Sequence, residues 1–295
     1  MSKPIKPLDF GLFAVVVLIW GFNFAVSKTG LEQFPPMLLV ALRFMIVSVV
    51  LLPFVPPPHG RWREIIALSV TLGTLHFALM FTGLAGIDAS TAAIAIQLQV
   101  PFAALLAAFF FGDKLGWRRA VGLATAFGGV VVIAGEPRLE GSYTALAMVI
   151  GAALVWALSN VQVKKVSELS PWCVSAWMAL FAWPQLLLLS LLTESGHWPA
   201  LQEADWIGWG AVAYNALAVM VVGYGLWYRL LMRYDMNQAM PITLVVPVLG
   251  VASGVFVLGE PFTWSIALGG LLTVGGVGIV VLRRPKIAAV ASKRV

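Results

Sequence analysis

Charge is scarce in this chain: of 295 residues only 11% are Asp, Glu, Lys or Arg, against 60% hydrophobic. A soluble domain carries roughly 25% charged residues, and no single core could hold this much apolar surface, so a soluble globular fold is excluded. Cysteine is scarcer still. Cys173 stands alone, which rules out an intrachain disulfide and a cysteine-held metal cluster; an inert, packed thiol is the expectation. The histidines His59, His76 and His197 lie on separate segments, and no H-E-x-x-H pair occurs, so a catalytic metal centre has no ligand set. No G-x-x-x-x-G-K-[ST] loop is present, which excludes a nucleotide-driven pump. The formal charge is +6, yet no basic block carries interleaved aromatics, and nucleic acid is not an expected partner. Carboxylates are missing from the centres of the apolar runs. That removes the usual group for proton coupling and leaves His76 as the only mid-run side chain that titrates near neutrality.

What fills the chain instead is a series of apolar runs near the length that an α-helix needs to cross the hydrocarbon layer, about 20 residues at roughly 1.5 Å each. Charge, proline and glycine divide them into ten predicted spans: 9–28, 36–54, 65–85, 90–111, 116–135, 142–163, 171–192, 207–230, 237–258 and 263–282. The expected fold class is an all-α integral membrane protein with ten transmembrane helices. The first run follows Lys3 and Lys6 and lacks a small-x-small cleavage site, so it is expected to persist as a helix. With both termini placed in the cytoplasm, every Lys and Arg falls inside except Lys28 and Arg138, which fall outside, and Arg43, which lies within a span. The positive-inside rule asks for this distribution.

The segment from Asp88 to Ile133 returns between Asp235 and Val280 at a constant shift of 147 positions. Asp88 becomes Asp235, Ala92 becomes Ala239, Gly112 becomes Gly259 and Asp113 becomes Glu260. Trp117, Gly122, Gly128 and Gly129 become Trp264, Gly269, Gly275 and Gly276. At a shift of 136, Trp20 becomes Trp156, Lys28 becomes Lys164 and Pro35 becomes Pro171. The repeated unit is thus five helices, covering 9–135 and then 142–282. Five is odd, so the second copy is expected to enter the membrane upside down. Two inverted five-helix repeats are a recurring plan of secondary transporters, with the substrate held at the repeat interface.

The residues that carry this pattern are Trp20-Gly21-Phe22-Asn23-Phe24 with Lys28 and Gly30, Ala41-Leu42-Arg43-Phe44, and Pro101 with Phe111-Gly112-Asp113-Lys114-Leu115, Gly122 and Gly128-Gly129-Val130. A second set is Pro247, Leu258-Gly259-Glu260-Pro261-Phe262, Gly269 and Gly275-Gly276-Val277. They resemble the two repeats of EamA-type transporters of the drug/metabolite transporter superfamily, and among those the chain is most similar to bacterial amino-acid exporters of the YddG type. The resemblance covers nearly the whole chain. It implies a central cavity bounded mainly by helices 1, 3, 4, 6, 8 and 9, with helices 5 and 10 in support. It also implies export of small neutral metabolites, amino acids with aromatic ones favoured, across the bacterial cytoplasmic (inner) membrane. The expected partners are a small-molecule substrate and the lipid bilayer, with the protein a monomer and no cofactor. One departure stands out: Asn160 falls one position later than the repeat of Asn23.

Polar side chains inside apolar spans are costly unless they find a partner or line a wet path, which makes them the candidates for substrate contact. Trp20, Asn23 and Ser27 stand at helical spacing on one stripe, and Trp156, Ser159, Asn160 and Val163 repeat it. His76 and Met80 share a face of the third span. Gln97 lies on the face of Pro101, Met240 and Thr243 lie on the face of Pro247, and the eighth span offers Asn215, Tyr224 and Trp227. Each also has a plainer role: amides bridge helices, tryptophans pack or lie at the interface, and methionines fill gaps. Arg43, with no carboxylate nearby in the sequence, is expected to snorkel or to bind carbonyls at a helix end. Two alternatives remain open: export of other amphipathic solutes such as nucleosides or drug cations, and a membrane-embedded enzyme. The enzyme would need a convergent acid, base or metal set, which the sequence does not offer.

Overall fold

A computed structural model describes residues 6–111, 116–234 and 236–282. Ten of its helices are long and apolar enough to cross a membrane: α1 Pro7–Leu31, α2 Pro36–Phe54, α3 Trp62–Gly86, α4 Ala89–Phe110, α5 Trp117–Ala134, α6 Tyr143–Val166, α7 Pro171–Thr193, α8 Trp206–Leu231, α9 Gln238–Leu258 and α10 Trp264–Leu282. Each begins and ends within about three residues of the expected span, because the length of an apolar run fixes where a membrane helix can lie. No strand occurs among the described residues. A short helix, His197–Glu203, joins α7 to α8. The Gly112-Asp113-Lys114 turn, Asp235, Lys3 and the basic residues from Arg283 to Arg294 lie outside the described residues.

Local chemistry sets the helix ends. Proline opens α1, α2 and α7, where its missing N–H costs nothing. Asp205 caps α8, accepting from the Ile207 and Gly208 amides at 2.8 and 3.1 Å. A hydrogen bond from Gln33, together with these amides, holds its carboxyl below the ordinary range. At the end of α9, Gly259 takes φ +70°, a left-handed turn that a side chain would strain.

Both repeats break their helices at matching places. α3 widens to π geometry over Ser69–His76 and α8 over Tyr214–Gly223. α4 tightens to a 3-10 turn at Ile96–Leu98, and α9 is interrupted at Leu244. Proline accounts for the second pair: Pro101 cannot donate to the carbonyl of residue 97, nor Pro247 to that of residue 243, and each break sits at that carbonyl.

The helices pack in pairs that exchange when the repeats are exchanged. α5 lies on α10 and α2 on α7, while α1 packs on α8 and α9 as α6 packs on α3 and α4. The α5–α10 contact is built from small residues that let the backbones approach closely. A Cβ on Gly276 would meet the Gly122 carbonyl oxygen at 2.5 Å, and one on Gly269 would meet that of Gly129 at 2.6 Å. Thr273 donates to the Ala126 carbonyl at 3.4 Å. Numbers rise along α5 as they fall along α10, so these corresponding helices run antiparallel. Their contacts are also reciprocal, the signature of a two-fold relation. Phe109, Val131, Leu192 and Phe256 are among the apolar side chains left on the outside, as lipid-facing positions require.

Candidate substrate site

A thread of polar side chains crosses the middle of the fold between α1, α8 and α2. Ser27 and Asn215 are 1% and 0% exposed, so their polar atoms must be satisfied internally. Asn215 Nδ2 donates to Ser27 Oγ at 3.1 Å and to the Ala211 carbonyl at 3.0 Å. The Ser27 hydroxyl can then donate to Asn23 Oδ1 at 3.4 Å. This assignment leaves Asn215 Oδ1 as the acceptor for Arg43 Nη1 at 3.5 Å.

Arg43 does not snorkel. It is 2% exposed, with its guanidinium carbon 4.6 Å from the Phe77 ring centre and 5.5 Å from that of Phe44. Its helix faces α3 and α8 rather than lipid at this point, so a ring face and an amide oxygen lie nearer than any helix end. The cation–π contact holds the charge without neutralising it.

Aromatic rings flank this thread. Trp20 stands 5.1 Å from Tyr224 and 5.5 Å from Trp227, and Trp227 meets Phe13 edge-on. On the other repeat, Trp156 packs 5.1 Å from His76. His76 Nδ1 lies 2.9 Å from the Ala152 carbonyl oxygen, which can only accept; the proton is therefore on Nδ1, and Nε2 of the neutral ring is an acceptor. The 147-residue shift places Gly223 where the first repeat has His76. A Cβ there would come within 2.8 Å of Trp20 Nε1. That indole N–H is buried and has no acceptor.

Trp20, Tyr224 and Trp227 thus come together, Asn23 and Asn215 are joined through Ser27 further along the same two helices, and Trp156 packs on His76. Others do not join them. Asn160 is exposed, and Met80 is buried in the main core. Gln97 lies in the 3-10 turn of α4. The Thr243 hydroxyl is taken by the Met240 carbonyl at 2.8 Å at the α9 break. Among the described residues, no hydrogen bond or ring contact ties these five to the cluster. Sequence reasoning left out Asp9, which is 2% exposed and pairs with Arg233 at 2.9 Å and Tyr234 at 2.7 Å. Its signal was an acid in the first turn of an apolar helix.

At the far face, opposite the N-terminal end of α1, the corner between α3 and α4 is held from two sides. Lys28 Nζ donates to the carbonyls of Leu84, Ala85 and Ile87 at 2.8, 3.0 and 2.8 Å, placing a cation on the negative end of α3. Glu260 accepts the Ala89 and Ser90 amides at 2.5 and 2.9 Å, placing an anion on the positive end of α4. Any side chain at Gly254 would collide with that carboxylate. Burial, with the Glu260 charge nearby, raises the Asp88 carboxyl above its ordinary value, while Arg138 and Lys28 act against this.

The model of a family described as EamA-like transporters matches residues 10–135 and again 143–282. A probable amino-acid metabolite efflux pump of Salmonella typhimurium is 34% identical over 281 residues, 92% of this chain and 94% of the relative. A probable amino-acid metabolite efflux pump of Escherichia coli is 33% identical over 283 residues, with the same coverage of 92% and 94%. A solved structure titled only as the crystal structure of a protein aligns with a TM-score of 0.61 at 19% identity, covering 94% of this chain and 97% of that one. At that identity it speaks for the fold alone.

Proposed function

The chain belongs to the EamA-like transporter family, and from that premise we propose that it exports small neutral metabolites, amino acids with aromatic ones favoured, across the cytoplasmic (inner) membrane. The observation that carries this reading is the line of buried amide, hydroxyl and aromatic side chains along the contact of α1 with α8. Amides and hydroxyls bond a polar head, and Trp20, Tyr224 and Trp227 offer faces to an apolar or aromatic group. The relatives' names as efflux pumps support transport rather than catalysis.

Transport proceeds by alternating access of two inverted repeats, a reading supported by the antiparallel, reciprocal α5–α10 contact. Among the described residues, no carboxylate stands near a span centre, so the expected mode is facilitated diffusion. The test is counterflow of radiolabelled L-phenylalanine in proteoliposomes, with and without an imposed pH gradient. Saturable exchange that ignores the gradient is expected. Absence of exchange with any amino acid would reject the substrate reading, and protonophore-sensitive uphill uptake would reject the mode.

Both termini lie in the cytoplasm in this reading, so the far face is periplasmic. Ser195, in the exposed turn after α7, provides the check. A Ser195→Cys variant that also lacks Cys173 should react with an impermeant maleimide in intact cells; reaction only after lysis reverses the orientation.

A further inference from the structure

Arg43 is a buried cation without a counter-ion. The ion pairs among the described residues are Arg61 with Glu64 and Glu168, Arg138 with Asp88, and Arg233 with Asp9, and none involves it. A guanidinium has five N–H donors. Among the described residues its one acceptor is Asn215 Oδ1, at a marginal 3.5 Å, and Arg43 Nε is buried with no partner. Removing a charge from water without a paired anion is expensive, and the Phe77 face offsets only part of that cost. A second orphan donor on the same α1–α8 contact is the Trp20 indole N–H, which Gly223 leaves uncrowded. The Trp20 ring lies 5.1 Å from that of Tyr224 on α8, the helix that also carries Asn215, the acceptor of Arg43. The contact of α1, α2 and α8 thus holds two buried donors without acceptors and one unpaired positive charge, with aromatic faces around them.

We propose that Arg43, assisted by the Trp20 indole N–H, is the anchor for the carboxylate of the transported solute, so that the protein selects small solutes carrying a carboxylate next to an apolar or aromatic group. The inference rests on the transport reading above and deepens it. A carboxylate supplies what the site lacks, two acceptor oxygens and one negative charge, in a geometry that a guanidinium binds with two parallel bonds. The covered guanidinium is the closed form of this anchor, and it becomes accessible when α3 or α8 moves away.

The experiment measures preference rather than rate, because a merely structural arginine would lower transport of all solutes alike. Counterflow of radiolabelled L-phenylalanine is competed with L-phenylalanine, L-phenylalaninamide, 3-phenylpropanoate and 3-phenylpropanamide. The wild type should favour each carboxylate over its amide by at least about tenfold, on the scale of one charge-assisted pair. Arg43→Gln should erase that ratio, Arg43→Lys should keep part of it, and Trp20→Phe, which removes the N–H and keeps the ring, should reduce it severalfold. If Arg43→Gln does not fold, Arg43→Lys and Trp20→Phe decide by the same ratio. A wild type indifferent to the carboxylate, or a ratio unchanged in the variants, overturns the anchor. Should no amino acid be carried, labelled 3-phenylpropanoate replaces phenylalanine; a carboxylate preference lost in Arg43→Gln then upholds the anchor and rejects the amino-acid reading alone.

Discussion

Replacing Glu260 with alanine should open the far face: a cysteine introduced at Thr91, in a chain without Cys173, is expected to react with an impermeant thiol reagent roughly thirtyfold faster. Thr91 is 3% exposed, in the first turn of α4 next to Ser90, whose amide Glu260 holds. Hydrogen bonds to a charged group contribute about 1.5–3 kcal/mol each. The carboxylate is half-buried and water can replace it, so the two bonds together favour the closed corner by roughly 2 kcal/mol, which is about thirtyfold in population. Transport should fall in parallel, because a corner that does not close cannot complete a cycle. Glu260→Asp keeps the charge but loses reach, and it should behave like the alanine variant. An unchanged Thr91→Cys reaction rate in both variants would show that the carboxylate does not hold this face shut.

Asn215→Leu should be the most damaging single change within the polar thread. The substitution keeps volume but removes the only acceptor of Arg43 among the described residues and the donor to Ser27. Leaving a buried charge without an acceptor, and the Ser27 hydroxyl with only its long bond to Asn23, costs about 3 kcal/mol, read as a lower unfolding temperature in detergent. The double variant Arg43→Met with Asn215→Leu should regain at least about 1 kcal/mol, because the orphaned charge is gone. If the two substitutions instead add without interaction, Asn215 is not what holds the guanidinium in place.

The ten spans and the repeat could be read from the sequence, the spans because the length of an apolar run is local to it and the repeat because it is a match of residues at a fixed shift. The site could be read only in part. Asn23 and Asn160 look alike in their stripes, yet a shift of one position turns a side chain by about 100° around a helix, and Asn160 ends up exposed. Asn215 gave no sign that it would be the centre of the thread, since its partners Ser27 and Arg43 are 188 and 172 residues away. Arg43 was harder still. A charge normally announces its counterpart by an opposite charge, and here the counterparts are the faces of Phe44 and Phe77, which look like ordinary core residues. The Glu260 contact, 171 residues from Ala89, joins a turn acid of one repeat to a helix start of the other, a match that only folding brings about.

The glycine faces of α5 and α10 also bear on how the protein is made. α5 is complete when residue 134 leaves the ribosome, but its partner surface is not finished until about residue 282. At about 5–20 residues per second, the face of Gly122, Ala126 and Gly129 waits roughly 10–30 s in lipid before Gly269, Thr273 and Gly276 arrive. During that time the α5 face lacks its antiparallel mate, and because a neighbouring chain's α5 enters the membrane the same way up, the competitor for it is the α10 of a completed neighbour. Carrying both halves on one polypeptide answers the competition kinetically. The tethered α10 reaches its mate at an effective concentration on the order of millimolar, far above that of another chain in the same membrane, so the covalent link between the repeats protects assembly as well as dividing the labour of transport.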